Sequence, residues 1–118
     1  MPPGTPMSPQ IELVHRIREL LADEAVVREV SMFGGRAVMV NDKMIVSAMK
    51  DGGLLVRVAA NRHAVLLDRP GAAQAVMGAG RDMGAGWITV AGSSLDDDAL
   101  ADWITIALAY NRTITGGR

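Results

Sequence analysis

The sequence contains no cysteine, no long apolar run and no excess of charge of either sign. Without cysteine, the chain cannot form a disulfide scaffold, a thiolate metal site or a thiol nucleophile. No apolar stretch approaches the ~18 residues of a membrane-spanning helix. The first residues also lack the basic and apolar segments of a signal peptide. We therefore expect a cytoplasmic protein that does not associate with a membrane.

The balance of charge also limits the partners that we expect. Lys and Arg number 12 and Asp and Glu number 13, which gives a formal net charge of −1. Since nucleic-acid-binding domains usually carry a basic excess, direct binding of nucleic acid is not expected. Hydrophobic residues make up 49% of the 118 residues, which is enough for one core. We expect a disordered tail at 1–7, one domain at 8–115 and a short tail at 116–118.

Helix signals lie near both ends of the chain. Ser8 and Pro9 are typical of a helix start, with a hydroxyl cap followed by proline at the first helical position. Apolar residues then recur at helical spacing from Leu13 to Leu21. Near the C-terminus, Ser93–Asp98 place carboxylates at the positive end of a second helix. The apolar stripe of that helix contains Leu100, Trp103, Ile104, Ala107 and Leu108.

Between these helices the apolar pattern changes to a period of two, which predicts strands. Glycine and Asn-Asp clusters divide the first part into short runs joined by tight turns, so neighbouring strands are antiparallel. The predicted strands are Val27–Phe33, Arg36–Val40, Lys43–Lys50 and Leu54–Ala59.

The remaining segments complete the predicted fold. Asn61–Arg69 predicts a short helix that ends before Pro70-Gly71, and Gln74–Met77 with Trp87–Ala91 predicts a hairpin. The element order is therefore α-β-β-β-β-α-β-β-α. This order indicates an α+β two-layer sandwich, with an antiparallel meander and hairpin covered by helices on one face.

The turn lengths predict which residues share a face of the meander. We assumed two-residue turns at Gly34-Gly35 and Asn41-Asp42 and a three-residue loop at Asp51-Gly52-Gly53. The predicted inner face then holds Val30, Met32, Ala37, Met39, Met44, Val46, Ala48, Val56 and Val58.

The same pairing aligns a row of polar and aromatic residues on the predicted outer face, with apolar residues around it. One interpretation is a solvated face on which long side chains lie over apolar neighbours. The other is a surface that binds a partner or an anion. The candidate residues are Phe33, Arg36, Lys43, Ser47 and Arg57, beside Val38, Val40, Ile45, Met49 and Leu55.

The last helix is apolar on more than one side, which is typical of deep burial or of an interface. We therefore predict an interface helix that uses Trp103, Ile106 and Tyr110, with a second copy of the chain as one possible partner.

Other motifs give no catalytic, cofactor or metal site. The glycines of Gly78–Gly86 precede a strand, whereas a phosphate-binding loop precedes a helix. His15 and His63 are far apart in the sequence, and we expect both to be solvated surface residues. The carboxylates at 96–98 are explained by the helix start. We expect neither an enzyme nor a cofactor.

Six motifs, taken in order along the chain, carry a resemblance to a known family. They are Phe33-Gly34-Gly35 after a methionine, Met39–Met44, Lys50-Asp51-Gly52, Leu54–Arg57, Arg81–Trp87 and Leu95–Trp103. Together they resemble the TfoX N-terminal domain family, and the resemblance covers the chain from Ser8 to Tyr110. The implied fold is an α+β sandwich of the same element order.

The resemblance implies a non-catalytic role. The resemblance implies that two-domain relatives are regulators of natural competence that act with the cyclic-AMP receptor protein. Their second, helical domain would follow this one, and we expect a stand-alone member without it. The implied function is a regulatory or adaptor domain in transcription regulation that binds a protein partner or itself. The alternative is a domain that binds a small anionic ligand or RNA on the outer face, with Phe33 stacked on a base.

Overall fold

The computed structural model describes residues 8–32, 34–77 and 80–116. The predicted tail at 1–7, Phe33 and the last two residues lie outside the described residues. The helices are α1 (Pro9–Leu20), α2 (His63–Leu66) and α3 (Asp97–Thr115), with short 3-10 turns at Ala60–Arg62 and Gly92–Ser94. The strands are β1 (Val27–Met32), β2 (Gly35–Val40), β3 (Lys43–Ala48), β4 (Leu54–Arg57), β5 (Ala72–Gln74), β6 (Val76–Met77), β7 (Arg81–Asp82) and β8 (Trp87–Val90).

The strands form one large antiparallel sheet in the order β1-β2-β3-β4-β8-β5, while β6 and β7 pair separately. The predicted α+β class and element order are confirmed. The predicted second hairpin is present in part. Its second strand is β8, which pairs with β5 (Gln74 opposite Ile88), but β5 ends at Gln74, where the first strand was predicted to begin, and Val76–Met77 pairs with β7. Sequence reasoning did not predict that β8 pairs with β4 and so extends the meander.

Both long helices begin where their capping residues predict. The Ser8 hydroxyl accepts a hydrogen bond from the Ile11 N–H at 3.1 Å, and Pro9 occupies the first turn of α1. The Asp96 carboxylate accepts from the Ala99 N–H at 2.8 Å. The acidic cluster therefore caps α3 and stabilises the positive end of its dipole.

The core lies between the helices and one face of the sheet. Buried residues of α1, α2 and α3 belong to a single cluster with alternate residues of the strands. We call this sheet surface the inner face. It consists of Val38, Val40, Ile45, Val46, Ala48, Leu54, Val56, Val58, Ile88 and Val90, all at most 1% exposed.

The predicted face assignment is confirmed for β4 and wrong for β1 and β2. Val46, Ala48, Val56 and Val58 are buried as predicted. In contrast, three residues assigned to the outer face are buried, and five residues assigned to the inner face lie on the opposite side. The first group is Val38, Val40 and Ile45, and the second is Val30, Met32, Ala37, Met39 and Met44.

The exchange has one structural cause. In the first hairpin Met32 is opposite Gly35 instead of Ala37, but this shift of two residues does not change which residues of β1 and β2 share a face. Between β2 and β3, in contrast, the register shifts between Val38 and Met39, and Val38 is opposite Val46 instead of Ile45. An extra residue at such a bulge moves the following side chains to the other face.

The predicted register between β3 and β4 is also wrong, but it leaves the face assignment of β4 unchanged. Ala48 is opposite Leu54 instead of Val56, because the turn includes Met49, whose N–H donates to the Gly53 carbonyl at 2.8 Å. The resulting shift is two residues. Since side chains alternate with a period of two, each residue of β4 keeps its predicted face.

His63 was predicted to be solvated, but it is 8% exposed. Its Nδ1 accepts from the Gly86 N–H at 2.9 Å, and its Nε2 lies 2.7 Å from Gln74 Oε1. Because Nδ1 accepts, we assign the proton to Nε2, which donates to Gln74. His63 therefore connects α2 to β5 and to the start of β8. His15 is exposed, as predicted.

Candidate functional site: the outer face of the sheet

The side of the sheet opposite the buried cluster is the candidate functional site, and we call it the outer face. Its members alternate with inner-face residues or lie directly opposite one another in the strand register. They are Arg28, Val30, Met32, Ala37, Met39, Met44, Ser47, Met49, Leu55, Arg57, Trp87 and Thr89.

The outer face is apolar, although the buried residues of α1, α2 and α3 pack against the inner face. An antiparallel sheet with one covered face usually has polar residues on the other. Here Met32, Met39, Met44 and Met49 supply four of the chain's 8 methionines. Methionine is flexible and polarisable, and it is frequent on surfaces that bind partners of different shapes.

Two small residues lie at the base of this surface. Ala37 is 0% exposed and Ser47 is 6% exposed, whereas Met39, Met49 and Leu55 are half-buried. A Cβ added to Gly35 would lie 2.6 Å from the Ser47 hydroxyl oxygen. The glycine of the predicted turn motif therefore permits a close approach of β2 to β3.

Arg57 lies at one end of the outer face, between two aromatic rings. Its guanidinium carbon is 4.4 Å from the ring centroid of Trp87 and 5.6 Å from that of Tyr110. Its Nη2 also donates to the Tyr110 hydroxyl at 3.5 Å. In the described part of the chain, no carboxylate forms an ion pair with Arg57. The stacking holds this cation in place without neutralising it.

The predicted row of Phe33, Arg36, Ser47 and Arg57 is not formed. Arg36 is opposite Ser31 and Ala48, Ser47 is opposite Leu55, and Arg57 is opposite Trp87. Ser47 and Arg57 lie on the outer face, but in different rows. Phe33 is outside the described residues.

Arg36 lies on the helix side of the sheet, beside α1. It lines a cavity of about 700 Å³ together with Gln10, His15, Arg18 and Glu29. The Glu29 carboxylate contacts Arg18 at 3.2 Å and Arg36 at 3.4 Å. Because one carboxylate lies between the two guanidinium groups, this cavity offers less positive charge to an anion than the two arginines alone would.

The remaining candidate residues occupy different environments. Lys43 is exposed at the start of β3. Trp103 is 2% exposed and belongs to the core, where the guanidinium of Arg69 lies 5.6 Å from its ring. Ile106 packs against the core, and Tyr110 contacts Arg57. Of the three predicted interface residues, Tyr110 reaches the candidate site.

Among residues 8–32, 34–77 and 80–116, no group of three His, Cys, Asp or Glu side chains is arranged to hold a metal ion. None of the helices within those ranges is both long enough and apolar enough to cross a membrane.

Comparison with known proteins identifies the family. The family model described as the TfoX N-terminal domain matches residues 19–110, which is most of the chain. The chain belongs to the TfoX N-terminal domain family. No curated protein and no solved structure matches it. The matched range of this TfoX N-terminal domain begins in α1 and ends at Tyr110, so it contains the whole sheet and the Arg57 contacts.

Sequence reasoning missed two parts of the site in this TfoX N-terminal domain. Met39 and Met44 were assigned to the inner face, and Trp87 was treated as part of a short strand. The number of methionines was visible in the composition, but it did not show that four of them share one surface. That Arg57 is opposite Trp87 depends on the pairing of β4 with β8.

Proposed function

We propose that this TfoX N-terminal domain is a non-catalytic regulatory domain in transcription regulation, and that it acts by binding a protein partner on the outer face. The observation that carries the proposal is an apolar, methionine-lined sheet face on the side opposite the helices. Large exposed apolar patches on soluble domains mark interaction sites. The ionisable residues of this face are Arg28 and Arg57, so it offers a binding surface rather than an acid–base pair.

The chemistry of the face indicates the kind of partner. Methionine and leucine side chains suit the apolar side of an amphipathic helix. Arg57 lies between Trp87 and Tyr110 and forms no ion pair with a carboxylate of the described residues. A carboxylate on the partner would form a charge-assisted pair with this guanidinium. The proposed partner is therefore an amphipathic helix that carries an acidic residue.

The alternative of binding RNA or a small anion has less support. It depended on a row containing two arginines and Phe33, and the strand register separates these arginines. Arg36 also contacts Glu29 in the same chain. Binding of a phosphate backbone would weaken steeply with salt, whereas binding at an apolar face would not.

Site-specific photo-crosslinking tests the proposal. A photoreactive amino acid replaces Met39 on the outer face or, as a control, Val65, which is 68% exposed on α2. We expect a protein of the transcription machinery to be cross-linked from position 39 and not from position 65. The Arg57→Glu change should abolish this cross-link, and Arg62→Glu, at an exposed arginine outside the outer face, should leave it intact.

Three outcomes would contradict the proposal. Equal cross-linking from both positions would show that the contact is not specific to the outer face. A cross-link that Arg57→Glu leaves unchanged would exclude the proposed acidic contact. Cross-linking of RNA alone, in a manner sensitive to salt, would favour the alternative.

A further inference from the structure

β1 is an open edge of the sheet. It has six residues and is the first strand in the sheet order, with β2 on one side. In the described part of the chain, no strand pairs with its other side. The opposite edge strand, β5, has three residues. A long unpaired edge is a template for pairing with another strand, and natural proteins usually protect it with proline, bulges or free charges.

β1 has little of this protection. It contains no proline, and the register shift of the sheet lies between β2 and β3. Its two charged side chains already form ion pairs within the chain. Arg28 is 3.6 Å from Asp42, and Glu29 contacts Arg18 and Arg36.

The direction of the free backbone groups can be assigned. The Asn41 N–H donates to the Val26 carbonyl at 3.0 Å, which places this bond just beyond the directly opposed pair Val27 and Val40. That pair is therefore of the non-hydrogen-bonded type, and the two types alternate along the strand. It follows that Val27, Glu29 and Ser31 direct their N–H and C=O groups away from β2, to the open edge.

We propose that a second copy of this chain pairs with β1, antiparallel and across a two-fold axis at Val30. The outward N–H and C=O groups of one copy must lie opposite the outward groups of the other copy. Because these groups belong to every second residue of β1, the two-fold axis must pass through a residue and not between two residues. An axis at Arg28 would put two like charges opposite each other, and so would an axis at Glu29. An axis at Val30 puts valine opposite valine and Glu29 opposite Ser31 of the second copy, with about four main-chain hydrogen bonds.

Charge complementarity favours this register. The Arg36 Nη1 donates to the Ser31 hydroxyl at 3.0 Å, so its guanidinium already lies over the residue that would be opposite Glu29 of the second copy. Each Arg36 would then lie between the Glu29 carboxylates of both copies. Met32, which is 38% exposed, would come opposite Arg28 of the second copy and be covered by its aliphatic part.

The pairing would also change the shape of the candidate site. Because residues of the same face become neighbours across the axis, the two outer faces would form one continuous surface with all helices on the other side. The main-chain hydrogen bonds of the dimer use the strand edge, and the outer-face residues at the dimer contact are those of β1, not Met39 or Arg57. It is therefore independent of the proposed function.

Cysteine substitutions test the register, because the full chain contains no cysteine of its own. In the proposed dimer the two Val30 Cα atoms would be about 4.5 Å apart, within the range of about 4.4–6.8 Å that a disulfide requires. Under mild oxidation, most of the Val30→Cys chain should become a covalent dimer that dithiothreitol separates. Arg28→Cys, which reports the rejected register, and Val65→Cys, on the distant α2, should remain single chains.

Light scattering on the unmodified chain provides the second measurement. We expect twice the chain mass of 12.5 kDa, and a return to the single-chain mass for Ser31→Pro, which removes an outward N–H. Ser31→Ala keeps that N–H and should remain dimeric. A monomeric unmodified chain, or a dimer in which Val30→Cys does not cross-link, would overturn the proposal. Neither result affects cross-linking from Met39, so the two proposals can fail separately.

Discussion

The two faces of one sheet are built from different kinds of apolar residue. The inner face is mainly valine, isoleucine and leucine, all at most 1% exposed, whereas four of the twelve outer-face residues are methionine. Branched side chains have few rotamers and pack closely against the helices. Methionine adapts to different neighbours. The comparison indicates that the inner face determines the fold and that the outer face is suited to a partner.

Adjacent leucines of β4 provide the strongest test of this comparison. Leu54 is 0% exposed on the inner face, and Leu55 is half-buried on the outer face. Leu54→Ala should lower the free energy of unfolding by about 2–5 kcal/mol, because it leaves a cavity. Leu55→Ala should cost clearly less, since solvent can fill the space. Urea denaturation measures both, and equal losses would show that the outer face is covered.

The two histidines compare a buried, hydrogen-bonded side chain with an exposed one. His63→Ala removes the acceptor of the Gly86 N–H and the donor to Gln74 Oε1, and should cost about 1–3 kcal/mol. His15→Ala changes an exposed residue and should leave stability nearly unchanged. Thermal unfolding of both variants checks this prediction, and similar midpoints would contradict the assigned role of His63.

Two glycines near the start of β8 differ in the space around them, and this difference can be tested. Gly84 has φ +93° and Gly86 has φ +97°, so alanine at either position is strained. At Gly86 the new Cβ would also lie 2.9 Å from the Val58 carbonyl oxygen, whereas at Gly84 it meets nothing within 4 Å. Gly86→Ala should therefore be less stable than Gly84→Ala by about 1 kcal/mol or more. Denaturant midpoints of the two variants would reveal whether Gly86 makes this close contact.

The smallest expected effect on stability concerns Arg57. Arg57→Ala removes the contacts with Trp87 and Tyr110 and should cost about 0.5–1 kcal/mol. Arg62→Ala, at an exposed arginine of the 3-10 turn, is the matched control and should cost less. The fluorescence of Trp87 provides a second measurement, since its environment should change in the first variant and not in the second. A loss well above this range would assign Arg57 to the fold rather than to the outer face.

Much of the fold could be predicted because its signals are local. Ser8 and Asp96 cap the helices that their positions predict, and the alternating pattern located β1 to β4 to within a few residues. The candidate site was predicted less well. Arg57 and Tyr110 were selected, but as parts of two separate surfaces, and three of the four outer-face methionines, Met32, Met39 and Met44, were assigned to the inner face.

The amino-acid order alone determined the helices, the strands β1 to β4 and the α+β class, since periodicity and capping act within one segment. Only the tertiary structure decided which side of β1 and β2 faces the helices, because a bulge depends on how two strands pair. It also decided that Trp87 lies beside Arg57, since that contact requires β8 to pair with β4. A shift of one residue in pairing leaves the pattern along each strand intact and exchanges its faces.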